Sequence, residues 1–120
     1  MLVVEDEETV AKLVARVLQK AGYRVIAAKD GVEGVELAQQ HEGEICLAVL
    51  DLVMPRMDGW GTLAALRKLR PGIPVILCSG YDEVHAMAGE HAEQPQAFLG
   101  KPYTIEALMK AVHQAVPQVL

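Results

Sequence analysis

Several common features are missing from this chain, and each absence narrows its class. No apolar run approaches the ~20 residues that cross a bilayer. The N-terminus reads as a strand followed by acids, without the basic start of a secretory signal. Neither a membrane anchor nor a signal peptide is expected. Positive charge is also scarce: 11 Lys and Arg stand against 16 Asp and Glu, for a net charge of -5. Direct nucleic-acid binding rests on basic patches and is therefore not expected. No repeat, low-complexity tract or linker interrupts the chain. No glycine-rich phosphate loop follows the first strand pattern, which argues against a flavodoxin-like cofactor binder. His41, His85, His91 and His113 lack metal-ligand spacing and read as surface or helix-end residues. Cysteine is rare too. Cys46 falls near the start of one strand pattern and Cys78 near the end of another, so neighbouring parallel strands would hold them apart. Both read as small core hydrophobes in a reducing, cytoplasmic setting.

What is present fits one compact domain spanning 1–120. Hydrophobic residues make up 52% and charged residues 22%, enough apolar surface for a core without staples. Met1 to Val4 is a short buried-strand pattern stopping on Glu5-Asp6-Glu7. Val10, Leu13, Val14, Val17, Leu18 and Ala21 then recur at helical spacing, and Gly22 supplies a stop. Tyr23 to Ala28 is strand-like. Asp30 with Glu33 forms a capping-box pattern ahead of a helix from Gly31 to His41. Ile45 to Leu50 is wholly apolar, as in strands buried on both faces of a parallel sheet. Leu63, Leu66 and Leu69 mark a third helix, stopped by Pro71-Gly72. Ile73 to Cys78 predicts a fourth strand. Asp82 can cap a fourth helix that Gly89 interrupts, and Glu90 to Gln96 reads as loop. Ala97 to Gly100 is a short fifth strand near an edge. Thr104 caps a last helix whose stripe is Ile105, Leu108, Met109, Val112 and Val116. Five strands alternating with five helices imply an α/β, doubly wound, five-stranded parallel sheet.

In such a sheet all strands point the same way, so the residues at their C-terminal ends share one crevice. The first strand ends in Glu5-Asp6, the third in Asp51, the fourth in Ser79 and the fifth in Lys101. Two unit charges ~4 Å apart repel by about 4 kcal/mol at an effective dielectric of ~20, so three carboxylates together call for a cation. An oxygen-only set suits Mg²⁺. It suits phosphoryl transfer better than acid–base work, with Asp51 as nucleophile and Ser79 and Lys101 holding phosphoryl oxygens.

Glu5-Asp6, Asp51 with Met54-Pro55 and Asp58-Gly59, Ser79, and Lys101-Pro102 together resemble the receiver domain of two-component response regulators, across essentially the whole chain. The resemblance implies a flavodoxin-like sheet in the order 2-1-3-4-5, with Asp51 as phosphoacceptor. It implies Mg²⁺ (or Mn²⁺) held by Asp6, Asp51 and the Val53 carbonyl, with Glu5 contributing more loosely. It implies a cis Lys101–Pro102 peptide, and a switch through Ser79 and Phe98. Glu5, Ser79 and Phe98 stand where the family often has Asp, Thr and Tyr, and Phe98 lacks the hydroxyl of the usual Tyr. The partner implied is a histidine kinase or histidine phosphotransfer protein. Cys78-Ser79-Gly80-Tyr81 and Phe98 to Tyr103 further resemble receivers attached to hybrid sensor kinases.

Each site residue also has a plain structural explanation: acids at a helix start, a turn serine, a solvated lysine, a core phenylalanine. Their coincidence at four strand ends favours the functional one. Asp58 reads as a cap or turn former, and Trp60 as a surface or loop residue near the site. An aspartate-nucleophile hydrolase is the rival enzyme, but it would need a second acid two residues past the nucleophile, where this chain has Val53. A receiver-like module that only binds partners is a further alternative, which the intact acid set opposes. As an isolated domain the chain is not expected to be a turnover enzyme. Val53 and Tyr81 border the approach to Asp51, and neither orients water, so a long-lived phosphoryl group is expected.

Overall fold

Strict alternation along short apolar strands builds a sheet buried on both faces. The computed structural model describes residues 1–54, 56–80 and 94–116. In chain order these form β1 (Leu2–Val4), α1 (Glu8–Lys20), β2 (Ile26–Ala28), α2 (Gly31–Gln40), β3 (Ala48–Asp51), α3 (Gly59–Leu69), β4 (Val75–Ser79), β5 (Ala97–Gly100) and α4 (Ile105–Ala115). The five strands are all parallel, in the order β2-β1-β3-β4-β5. The helix expected after Asp82, with Gly89, most of the loop after it, His85 and His91, lies outside the described residues, as does Pro55.

The period of two sorts side chains onto the faces. Val3, Val49, Ile76 and Leu99 join Val14 and Leu18 of α1 and Leu108 and Val112 of α4 on one side. Leu2, Val4, Leu50 and Leu77 join Ala38 of α2 and Leu63 and Leu66 of α3 on the other. Leu2, Leu50 and Leu77 have no exposed surface. Burying each contributes roughly 2 kcal/mol relative to leaving it in water.

The helix ends follow their sequence signals. Asp30, Asp58 and Thr104 each accept a bond from the backbone N–H three residues on, at 2.8, 2.8 and 3.0 Å. The box at α2 closes one residue early, since Glu33 Oε1 accepts from the Lys29 amide rather than that of Asp30. Three apolar expectations change. Leu13 is 57% exposed and Ile105 58%, because each sits at the margin of a stripe whose centre, Val14 and Leu18 or Leu108 and Val112, already fills the space over the sheet. Cys46 is exposed while Cys78 is buried, and both are free. Cys46 precedes β3 and alternates outward between buried Ile45 and Leu47.

Candidate functional site

Backbone ladder bonds fix the three strand ends that matter. Glu5 N–H donates to Ala28 O at 3.0 Å, Leu52 N–H to Cys78 O at 2.7 Å, and Lys101 N–H to Ser79 O at 2.7 Å. Glu5, Asp51 and Lys101 each stand two residues beyond Val3, Val49 and Leu99, which share one face, so the alternation carries all three toward the same side. Gly59 closes the edge from the other direction. Its N–H bonds Leu52 O at 2.8 Å, and a Cβ there would lie 2.7 Å from Asp51 O and 2.8 Å from Leu52 Cα. Only glycine allows α3 to begin this close to the end of β3.

The side chains converge. Ligand atoms of Glu5, Asp6 and Asp51 all lie within 4.8 Å of one another. Lys101 Nζ donates to Glu5 Oε2 at 2.7 Å and lies 3.3 Å from Asp51 Oδ2. Glu5 Oε1 accepts from the Glu7 amide at 3.1 Å, so both Glu5 oxygens are engaged. Glu5 and Asp51 are buried and Asp6 is exposed, which leaves the cluster open to solvent on one side.

When all three are ionised, three carboxylates against one ammonium leave two negative charges. Burial, then the neighbouring Glu5 charge, pushes the Asp51 carboxyl up to about 7, with Lys101 only partly offsetting them. Burial alone would lower the Lys101 ammonium, but Glu5 and Asp51 outweigh it and hold it above its ordinary value. The donor set fits a hard divalent cation: it is all oxygen, its ionised form carries more negative charge than Lys101 balances, and Asp6 keeps one side wet.

The remaining expected residues sit around this centre. Ser79 ends β4 and is buried. Val53 is 58% exposed in the loop after Asp51. The Lys101–Pro102 peptide is cis. Phe98 is half-buried on the α2/α3 side of the sheet, and Tyr81 lies outside the described residues. Trp60 is more than a surface residue: its ring meets Phe98 edge-on, centroids 6.0 Å apart. Cys78 touches Tyr103, and burial pushes its thiol up to about 12, which makes it inert. The sequence reading missed Arg56, whose guanidinium grips Asp30 with Nε at 3.0 Å and Nη2 at 2.9 Å. Nothing near Arg56 in the chain announces a partner 26 residues upstream.

A doubly wound sheet with an acid cluster, a serine and a lysine at its C-terminal edge defines a class, and residues 1–113 match the family model described as the response regulator receiver domain. The chain belongs to that family and is a receiver domain of two-component systems, with their phosphoacceptor signalling role. Among particular relatives, it is 40% identical over 114 residues to the sensor kinase CckA of Brucella abortus (strain 2308). That match covers 95% of this chain but only 12% of the kinase. The crystal structure of the receiver domain from the hybrid histidine kinase CckA is 35% identical, with a TM-score of 0.82 and 97% of each chain covered. The response regulator TrrA of Thermotoga maritima, solved in complex with Mg(2+)-BeF, is 26% identical, with a TM-score of 0.79 and 96% of each chain covered. The expected resemblance to receivers of hybrid kinases agrees with the CckA matches. Among the described residues, no helix is long and apolar enough to cross a membrane.

Proposed function

We propose that Asp51 is the phosphoacceptor of a phosphorelay, taking its phosphoryl group from a phosphohistidine on a histidine kinase or histidine phosphotransfer protein. The observation that carries this is a strand-end carboxylate 3.3 Å from Lys101 Nζ, with Glu5 and Asp6 ligand atoms within 4.8 Å. An Asp51 oxygen bonds to phosphorus as the P–N bond to the imidazole breaks. The electron pair leaves with the nitrogen, which takes a proton from solvent. Lys101 neutralises an equatorial oxygen and the Ser79 hydroxyl donates to another. Asp6, Asp51 and the Val53 carbonyl would hold Mg²⁺ or Mn²⁺, with Glu5 looser because Lys101 engages it, and the ion would neutralise phosphoryl charge.

Signalling follows if Ser79 moves toward the phosphoryl group and Phe98 turns into the space it leaves, a two-state change. The chemistry is confined to the chain's own carboxylate, so the domain by itself turns nothing over. Residues 1–120 act as one receiver, in the cytoplasm, within a protein such as a hybrid histidine kinase. Incubation with a small acyl phosphate and Mg²⁺ should add one base-labile phosphoryl group by intact mass. A gain that survives Asp51→Asn would overturn the assignment. Val53→Asn should shorten the lifetime of the adduct by supplying an amide that orients water.

A further inference from the structure

We infer that Arg56 is a positioning residue for the cation centre: by gripping Asp30 it fixes the loop that carries the Val53 carbonyl. The inference rests on the reading that this carbonyl and the acids bind the cation. The loop runs from Leu52 to Asp58, and its base is closed by the bond from Gly59 N–H to Leu52 O at 2.8 Å. Arg56 pins it again further along. Its Nε donates to Asp30 Oδ2 at 3.0 Å and its Nη2 to Asp30 Oδ1 at 2.9 Å, a two-pronged grip that fixes direction as well as distance. Leu52 and Arg56 are both held, and the Met54 side chain is buried in the core beside Val53, so the backbone on either side of the carbonyl is anchored.

Two further observations show that the grip is built rather than incidental. Arg56 has φ 67°, a region that glycine favours, so its side chain is kept at a backbone cost. Asp30 is itself tied to α2: its side chain is 7% exposed, and the same Oδ1 caps the helix by accepting from Glu33 N–H at 2.8 Å. The first turn of α2 also lies hard against the loop. A Cβ on Gly31 would come within 2.7 Å of Met57 O and 2.2 Å of Thr62 Oγ1. Helix α2 thus acts as a fixed post for the loop, and Arg56 is the tie.

The test is a Mg²⁺ titration of the whole chain followed by Trp60 fluorescence, paired with melting in chelator. Arg56→Gly should weaken Mg²⁺ binding roughly tenfold, in the range seen for groups that orient metal ligands, while melting changes little because glycine relieves the strained φ. Arg56→Lys, with one charge and no fork, should fall between. Asp30→Asn keeps the helix cap and should match Arg56→Gly, and the double variant should be no weaker than either single. An affinity within about twofold of the parent in Arg56→Gly, or losses that add in the double variant, overturns the inference. A parent that binds no Mg²⁺, or binding untouched by Asp6→Ala, overturns the cation reading itself. The grip is then judged by amide exchange in chelator, where Arg56→Gly should speed exchange at Val53 and Met54. Unchanged exchange there overturns it as well.

Discussion

Asp51 and Asp30 lie at the same edge of the sheet and are pushed in opposite directions. Asp51 is raised to about 7 by burial and the Glu5 charge, and one shared lysine does not restore it. Asp30 is held below its usual range, first by the Glu33 amide and then by the Arg56 guanidinium. One carboxylate has all its partners within the chain; the other is left short of positive charge. The difference separates a capping acid whose charge is balanced from an acid whose surroundings do not balance it. Such a deficit in a crevice is a common feature of functional groups, and it supports the role proposed for Asp51.

The two acids should differ most in what they do to cation binding. Asp6→Ala should weaken Mg²⁺ binding by about 100-fold, since on the proposed reading it removes a ligand outright, against the roughly tenfold loss from Asp30→Asn. Equal losses in calorimetric titrations would erase the distinction between the two acids.

Next in size is a steric test of the Asp30 region. Gly31→Ala should destabilise the fold by about 1–3 kcal/mol, because the new methyl meets Met57 O and Thr62 Oγ1 with no room to shift. Urea unfolding measures it. A neutral result would mean that the first turn of α2 is not held against the loop.

The pH dependence of stability should be modest in size and opposite in sign for the two acids. The Asp51 folded pKa of about 7 lies above its ordinary 3.8, so in chelator its contribution to stability is complete below pH 3.8 and lost as pH rises through 7. Asp51→Asn should therefore match the parent in acid and exceed it at and above pH 7. After discounting for solvent screening the gain is about 1–2 kcal/mol, a few degrees in Tm. Lys101, Glu5 and Asp6 face this carboxyl, so their charges must be kept in the comparison. Asp30 runs the other way. Its contribution is present above 3.8 and lost as pH falls through its lower folded value, so Asp30→Asn should cost stability at neutral pH and little in acid. Parallel pH profiles for the two variants would show that both acids play one role.

The convergence of the candidate residues was legible because strand ends are legible. Glu5, Asp51 and Ser79 each follow an apolar run, and parallel strands bring such residues to one edge whatever the details of packing. The caps were legible for the same local reason: Asp30, Asp58 and Thr104 bond amides three residues away. Trp60 was misread because its partner, Phe98, comes from β5, and no pattern within α3 points there. Leu13 and Ile105 were overcounted because spacing gives the stripe but not its width.

The α/β class, the alternation that sorts two cores, the helix caps and the set of residues at the strand ends are all written locally in the chain. These depend on periods of two and 3.6 and on bonds spanning three or four residues, all written within a short window. It is folding that lets Lys101 bond Glu5 across 96 residues, brings Arg56 back 26 residues to Asp30, and leaves Asp51 the acid in deficit. Those outcomes turn on register, burial and the sum of nearby charges, which exist only once distant strands have paired.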